Sequence, residues 1–146
     1  MNIVIRRIEA DDMEAALELV WEVFWEYEAP DYSEQGTAEF YNMIHEPQWL
    51  SMLQVYGAYH QGELAGVIAA RSHGSHIALF FVKGVYHKNG IGRKLFERFL
   101  NDSSANTITV NASPYAVPVY HRLGFQETDK EQTANGIRYI PMELHL

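Results

Sequence analysis

The period of hydrophobic and polar positions changes several times along this chain, and each change predicts an element. Ile3 to Ile8 read as a first strand. Asp11 with Glu14 three residues later resembles a capping arrangement, and Met13, Leu17, Val20 and Phe24 then place one apolar face on a helix. Ala29-Pro30-Asp31 breaks that pattern, and Ser33 is set to cap a second helix carrying Phe40, Tyr41 and Ile44. Leu53 to Tyr59, Leu64 to Ala70 and Ile77 to Val82 are apolar runs separated by His60-Gln61-Gly62 and Ser72-His73-Gly74-Ser75, the pattern of an antiparallel meander. Ile91, Leu95 and Phe99 recur every four residues and predict a third helix, which gives way to a polar linker from Asn101 to Asn106. Ile137 to Leu146 alternate as a final strand after an Asn135-Gly136 turn.

The junction between Val82 and Phe96 carries the first chemistry. An apolar strand passes through Gly84, Gly90 and Gly92 into the helix begun by Ile91, with Arg93, Lys94, Glu97 and Arg98 between the apolar positions. The glycines therefore lie at a helix N-terminus, where backbone N–H groups lack intrahelical partners and the dipole is positive, so an anion can approach the backbone. Walker A requires Gly-Lys-Ser/Thr and the dinucleotide fingerprint three glycines; neither is present. What stands here is His87-x-x-Gly90-x-Gly92 after a strand end. A second strand-helix-strand unit follows from Ile108 to Phe125, with Tyr120, Gly124 and Phe125 in a Tyr-x-x-x-Gly-Phe spacing. Gly124 reads as a left-handed helix cap that releases Phe125 into a strand.

The first of these segments resembles the Gln/Arg-x-x-Gly-x-Gly/Ala pyrophosphate loop of the GNAT superfamily of acyl-CoA-dependent N-acyltransferases, and the second resembles that superfamily's Tyr-x-x-x-Gly-Phe motif. The element order β-α-α-β-β-β-α-β-α-β-β is also the GNAT order, so the resemblance covers essentially the whole chain. It implies an α/β (α+β) fold: one domain over residues 1–146, with a mixed, mostly antiparallel sheet of 6–7 strands, about four helices, and a splayed strand pair holding the cofactor.

Composition narrows the picture. The 146 residues are 47% hydrophobic and 13% aromatic, which suits a packed domain and excludes a disordered tail. No cysteine is present, so there is no disulfide framework, thiol nucleophile or thiolate metal site, as suits a reducing cytoplasm. The start reads as a strand rather than a signal peptide, and no apolar run approaches a bilayer-crossing length, so a soluble, cytoplasmic protein without membrane contact is expected. A net charge of −8 argues against general nucleic-acid binding and favours cationic partners. Locally the sign reverses: Lys83, His87, Lys88, Arg93 and Lys94 form a basic island at the glycine loop. There is no Gly-x-Ser-x-Gly elbow or His-Glu-x-x-His helix, and only His73 and His76 of the seven histidines approach ligand spacing, so no metal is expected.

The resemblance implies acetyl-CoA as co-substrate. Its pantetheine would hydrogen-bond the strand backbone at Phe80, Phe81 and Val82, and its diphosphate would rest on the amides of His87, Lys88, Asn89, Gly90, Ile91, Gly92 and Arg93, with Asn111, Ser113 and Tyr115 lining the same cleft. Transfer to an amine needs a base, an oxyanion donor and an acid. Tyr120 holds the family position of the acid, and a backbone N–H near Phe80 or Val82 would be the oxyanion donor. The base is open among His76, which opens the strand leading to the loop, Glu28 and Tyr27 after the first helix, and water. His87 departs from the usual Gln or Arg and would make diphosphate affinity fall as pH rises; Gly84 stands where many members carry proline. The acceptor is a small-molecule or peptide amine that the sequence does not identify, homodimerisation is consistent with the family, and a catalytically silent acyl-CoA-binding module is the alternative to an enzyme.

Overall fold

The computed structural model describes all residues from Met1 to Leu146. Strand β1 (Ile3–Arg7) leads through a 3-10 turn at Ala10–Asp12 into α1 (Met13–Tyr27), followed by α2 (Glu34–Met43) and α3 (Pro47–Ser51). Strands β2 (Gln54–His60), β3 (Glu63–Arg71) and β4 (His76–Val82) precede α4 (Ile91–Asp102), β5 (Thr107–Ala112) and α5 (Val117–Arg122). The chain closes with β6 (Gln126–Glu127), β7 (Gln132–Ala134) and β8 (Ile137–His145).

The sheet runs β1-β2-β3-β4-β5-β8-β6, with β7 pairing β8 alone. Every pairing is antiparallel except that of β4 with β5. Two apolar layers flank it. Leu95, Phe96 and Phe99 of α4 pack with Ile68, Ile108 and Phe125 on one face; Val20 and Phe24 of α1, with Phe40 and Ile44, pack on Val67, Leu79 and Phe81 on the other. The fold is the mixed, mostly antiparallel open sheet of the expected class, with one helix and one strand more than the predicted order.

Several boundaries differ from those predicted. Asp11 does not cap α1: Asp12 occupies the N-cap and makes no side-chain hydrogen bond there. Ser33 does cap α2, its Oγ accepting from the Gly36 N–H at 3.0 Å. Helix α4 extends through Asp102 into the predicted polar linker, because that carboxylate accepts from Tyr56 (2.8 Å) and Arg98 (3.1 Å). Gly124 has φ +103° and the Phe125 N–H reaches back to the Tyr120 carbonyl at 3.0 Å, the predicted glycine cap. Gln61-Gly62 and Asn135-Gly136 each place two consecutive residues at positive φ, the geometry that matches a tight turn to the twist of a hairpin.

Candidate active site

The site begins where the parallel pair stops. Strands β4 and β5 are in register only at His76–Thr109 and Ile77–Val110. Beyond those two pairs the strands diverge, so the later part of β4 has no neighbour on that side. Phe80 to Val82 run along this open edge.

At the end of β4 the chain turns into the glycine loop. Lys88 and Gly90 both have positive φ, at 66° and 77°. Gly90 forms the N-cap of α4 with no side-chain cap, and the first helical hydrogen bond runs from the Lys94 N–H to the Gly90 carbonyl at 3.0 Å. The backbone N–H groups of Lys88, Asn89, Gly90, Ile91, Gly92 and Arg93 therefore donate to no backbone carbonyl. A row of free amides at a helix start is an anion-binding concavity. A Cβ at Gly90 would meet nothing within 4 Å, and one at Gly92 would sit in ordinary contact with Phe80 at 3.6 Å. The space above the loop is thus kept open by the missing side chains themselves, which fits a diphosphate resting directly on the backbone.

The His87 ring is anchored at the strand end. Its Nε2 lies 2.7 Å from the Val82 carbonyl, which only accepts, so this nitrogen carries the proton and ties the loop to the strand end. Asn89 lies at the exposed loop tip, its Nδ2 3.5 Å from the His87 carbonyl. Gly84 owes its identity to Tyr27: a Cβ there would clash with the Tyr27 hydroxyl. The Tyr27 ring in turn packs against His87 (5.0 Å between centroids) and Tyr115 (5.3 Å).

Two clefts open on either side of the splayed strands. One, about 390 Å³, is walled by the loop and α5, including Val82, His87, Gly92, Arg93 and Tyr115. The other, about 410 Å³, lies between β4, β5, α2 and β8 and contains His76, Asn111 and Ser113. Asn111 and Ser113 are thus placed on the opposite side from the loop, whereas Tyr115 lines the loop side. Glu39, Trp49, Arg71 and Tyr139 also line the second cleft. No sequence signal singled them out, because they converge from four separate elements.

The two clefts share one wall, formed by Glu28, Phe80, Phe81, Ala116 and Tyr120. Tyr120 is buried, its ring edge-on to Phe80 and Phe125. Burial, then the charge of Glu28, push its phenol well above the ordinary tyrosine range, so it stays protonated. Glu28 keeps part of its surface open to the clefts while protein crowds its carboxyl. That desolvation raises its pKa from 4.5 to about 7, with Asp31 adding to the rise and the Ser113 hydroxyl opposing it.

His76 sits away from this wall. The Thr109 hydroxyl donates to the Ser75 carbonyl (3.3 Å) and so accepts from His76 Nδ1–H (2.8 Å), leaving Nε2 with the free lone pair. Burial, then the Arg71 charge, lower its pKa to about 4. The imidazole is therefore neutral near pH 7 and a weak base.

Known proteins agree with this architecture. A family model described as acetyltransferase (GNAT) domain matches residues 28–146. A curated UPF0039 protein of Schizosaccharomyces pombe is 34% identical over 64 residues, covering 40% of this chain; the match spans less than half of that relative, 43%. Among solved structures, a GCN5-related N-acetyltransferase of Rhodopseudomonas palustris superposes with a TM-score of 0.86 at 19% identity, over 100% of this chain and 97% of the other. The PaiA N-acetyltransferase of Thermoplasma acidophilum, solved in complex with coenzyme A, superposes with a TM-score of 0.72 at 21% identity over 100% of both chains. The six free amides at a helix start, the strand splay and the family match over residues 28–146 converge: the chain belongs to the GNAT acetyltransferase family.

Proposed function

We propose that this protein is an N-acetyltransferase that moves an acetyl group from acetyl-CoA to a primary amine by direct attack, with both substrates bound together. The observation that carries this reading is the shared wall: the loop-side cleft and the second cleft meet at Glu28 and Tyr120. A donor in one and an acceptor in the other can react only there.

Bound acetyl-CoA supplies the acyl group and a thiolate leaving group. The free amides from Lys88 to Arg93 hold its diphosphate, and the open edge of β4 receives its pantetheine. Glu28, with a pKa of about 7, is half ionised near neutrality and takes the proton from the acceptor's ammonium. A backbone N–H of β4 near Phe80 or Val82 donates to the carbonyl oxygen as negative charge builds there. Tyr120 gives its phenolic proton to the departing sulfur. Glu28 is favoured over His76 because it stands on the shared wall with a pKa matched to neutral pH, whereas His76 is a weaker base at the other end of β4. The nitrogen gives up a second proton as the tetrahedral intermediate collapses to the amide, and that proton restores the Tyr120 phenol; Glu28 ends protonated and releases its proton to solvent before the next cycle, so the net yield is amide, coenzyme A thiol and one proton.

Calorimetric titration with acetyl-CoA, followed by thiol release with a panel of polyamines, amino acids, aminoglycosides and lysine peptides, tests this reading. Amine-dependent release supports it; binding with no release under any acceptor favours a silent binding module.

A further inference from the structure

We propose that the second cleft selects an elongated amino acid acceptor, of short-peptide or ω-amino acid type, with its amine at the Glu28–Tyr120 wall and its carboxylate on Arg71. The inference rests on the acetyltransferase reading and concerns the end of the acceptor that does not react.

Arg71 is the last residue of β3 and stands opposite His76 in register. It is half-buried and lines the cleft. Arg6, Arg98 and Arg138 each have a carboxylate within 4.0 Å; Arg71, like Arg7, Arg93 and Arg122, has none, and its guanidinium donates no hydrogen bond to the protein. Of these four arginines, Arg71 is the one that lines the second cleft. A half-buried guanidinium facing a cleft without a counter-ion suits a ligand carboxylate, which it can hold through two parallel N–H···O bonds.

The acidic groups of the cleft lie elsewhere. Glu28 is on the reacting wall and Glu39 is exposed on α2. Glu28 thus sets a carboxyl at the reacting wall and Arg71 a guanidinium beside His76, and a molecule with an ammonium and a carboxylate matches that pair in one orientation. The distance sets the size. From His76 to Phe81 the strand spans about 16 Å at roughly 3.3 Å per residue. The Arg71 side chain covers part of that span, and an extended peptide gains at most about 3.3–3.6 Å per residue. Peptides of about two to four residues, or ω-amino acids of similar length, fit; an α-amino acid, whose two groups share one carbon, is too short.

The test compares tripeptides with a free carboxylate against their C-terminal amides, measuring acetyl-CoA-dependent thiol release in the wild type and in Arg71→Ala. The wild type should favour the free acid by about tenfold or more in kcat/KM, mainly through KM. Arg71→Ala should bring the ratio to about one by weakening the acid alone, with acetyl-CoA affinity unchanged. Equal use of acid and amide by the wild type, or a preference that survives Arg71→Ala, overturns the inference. If acetyl-CoA binds but no acceptor releases thiol, the transferase reading fails separately. Calorimetric binding of the free-acid tripeptide to the coenzyme A-loaded protein then decides: tenfold weaker binding in Arg71→Ala supports the carboxylate site, and equal or absent binding in both rejects it.

Discussion

Glu28 and Tyr120 stand on the one wall common to both clefts, and the charge of Glu28 helps to keep the Tyr120 phenol protonated. In the proposed reaction the pair would divide the proton traffic of acyl transfer: a carboxyl that ionises near neutrality and a phenol that does not.

The pH dependence of turnover should show this division. With Glu28 ionising at about 7, kcat/KM should rise about tenfold per pH unit on the acid side and level off above about pH 7. Glu28→Gln should remove that limb and lower kcat by about 10²–10⁴-fold. Retention of the limb in the variant would assign the base elsewhere.

Stability carries the same signature with the opposite sign. The folded Glu28 pKa lies above its ordinary 4.5, so the native state binds this proton more tightly than the unfolded chain. Its contribution is full below about pH 4.5 and is lost as pH rises through about 7. Glu28→Gln should flatten that loss by on the order of 2 kcal/mol in denaturant titrations run from pH 4.5 to 8, a figure reduced for the part of Glu28 open to the clefts.

Tyr120→Phe keeps the ring that packs against Phe80 and Phe125, so the fold should tolerate it. Acetyl-CoA affinity should be retained while kcat falls about 10²–10⁴-fold, as loss of a general acid predicts. Unchanged turnover would remove Tyr120 from the acid role.

The two loop glycines should separate stability from binding. Gly92 adopts an ordinary helical conformation with room for a Cβ, so Gly92→Ala should leave stability unchanged or raise it by up to about 1 kcal/mol through helix propensity. If the diphosphate rests on these amides as proposed, calorimetry should nevertheless show coenzyme A affinity falling about tenfold or more, because the added methyl group crowds the backbone at the helix start. Gly90→Ala should lose affinity and also about 1 kcal/mol of stability, since φ is +77° there.

Gly84 and Tyr27 form a pair that a double-mutant cycle can read. Gly84→Ala drives a Cβ into the Tyr27 hydroxyl and should cost about 1–3 kcal/mol. Tyr27→Phe removes that oxygen, so the double variant should recover most of the loss; additive costs would show that the two positions do not meet.

The elements that positioned the site were legible because their signals are local. The glycine loop announces itself as a strand, a basic turn and a four-residue apolar repeat, and Tyr120 with Gly124 follows from a helix-cap spacing. Helix α3 escapes the pattern because five residues opened by Pro47 are too short to display a period, and β7 because Gln132 and Thr133 offer no apolar alternation, whereas β6 is the strand expected after the Gly124 cap. The raised pKa of Glu28, the bond from His87 to Val82 and the position of Arg71 in the second cleft depend on segments far apart in sequence. They required the folded arrangement, as did the placement of Asn111 and Ser113 opposite the loop. Gly84 shows both sides of this: its departure from proline is visible in the sequence, while its cause, the Tyr27 hydroxyl, appears only on folding.

The most direct test is to mix the wild-type protein with acetyl-CoA and an amine panel and to measure coenzyme A release together with the mass of the amine product. Release that requires both the protein and the amine, matched one to one by an acceptor 42 Da heavier, is predicted, since one acetyl group replaces one hydrogen. Tight coenzyme A binding without any acceptor-dependent release or acetylated product would contradict the assignment of Glu28 and Tyr120 as a working acid–base pair.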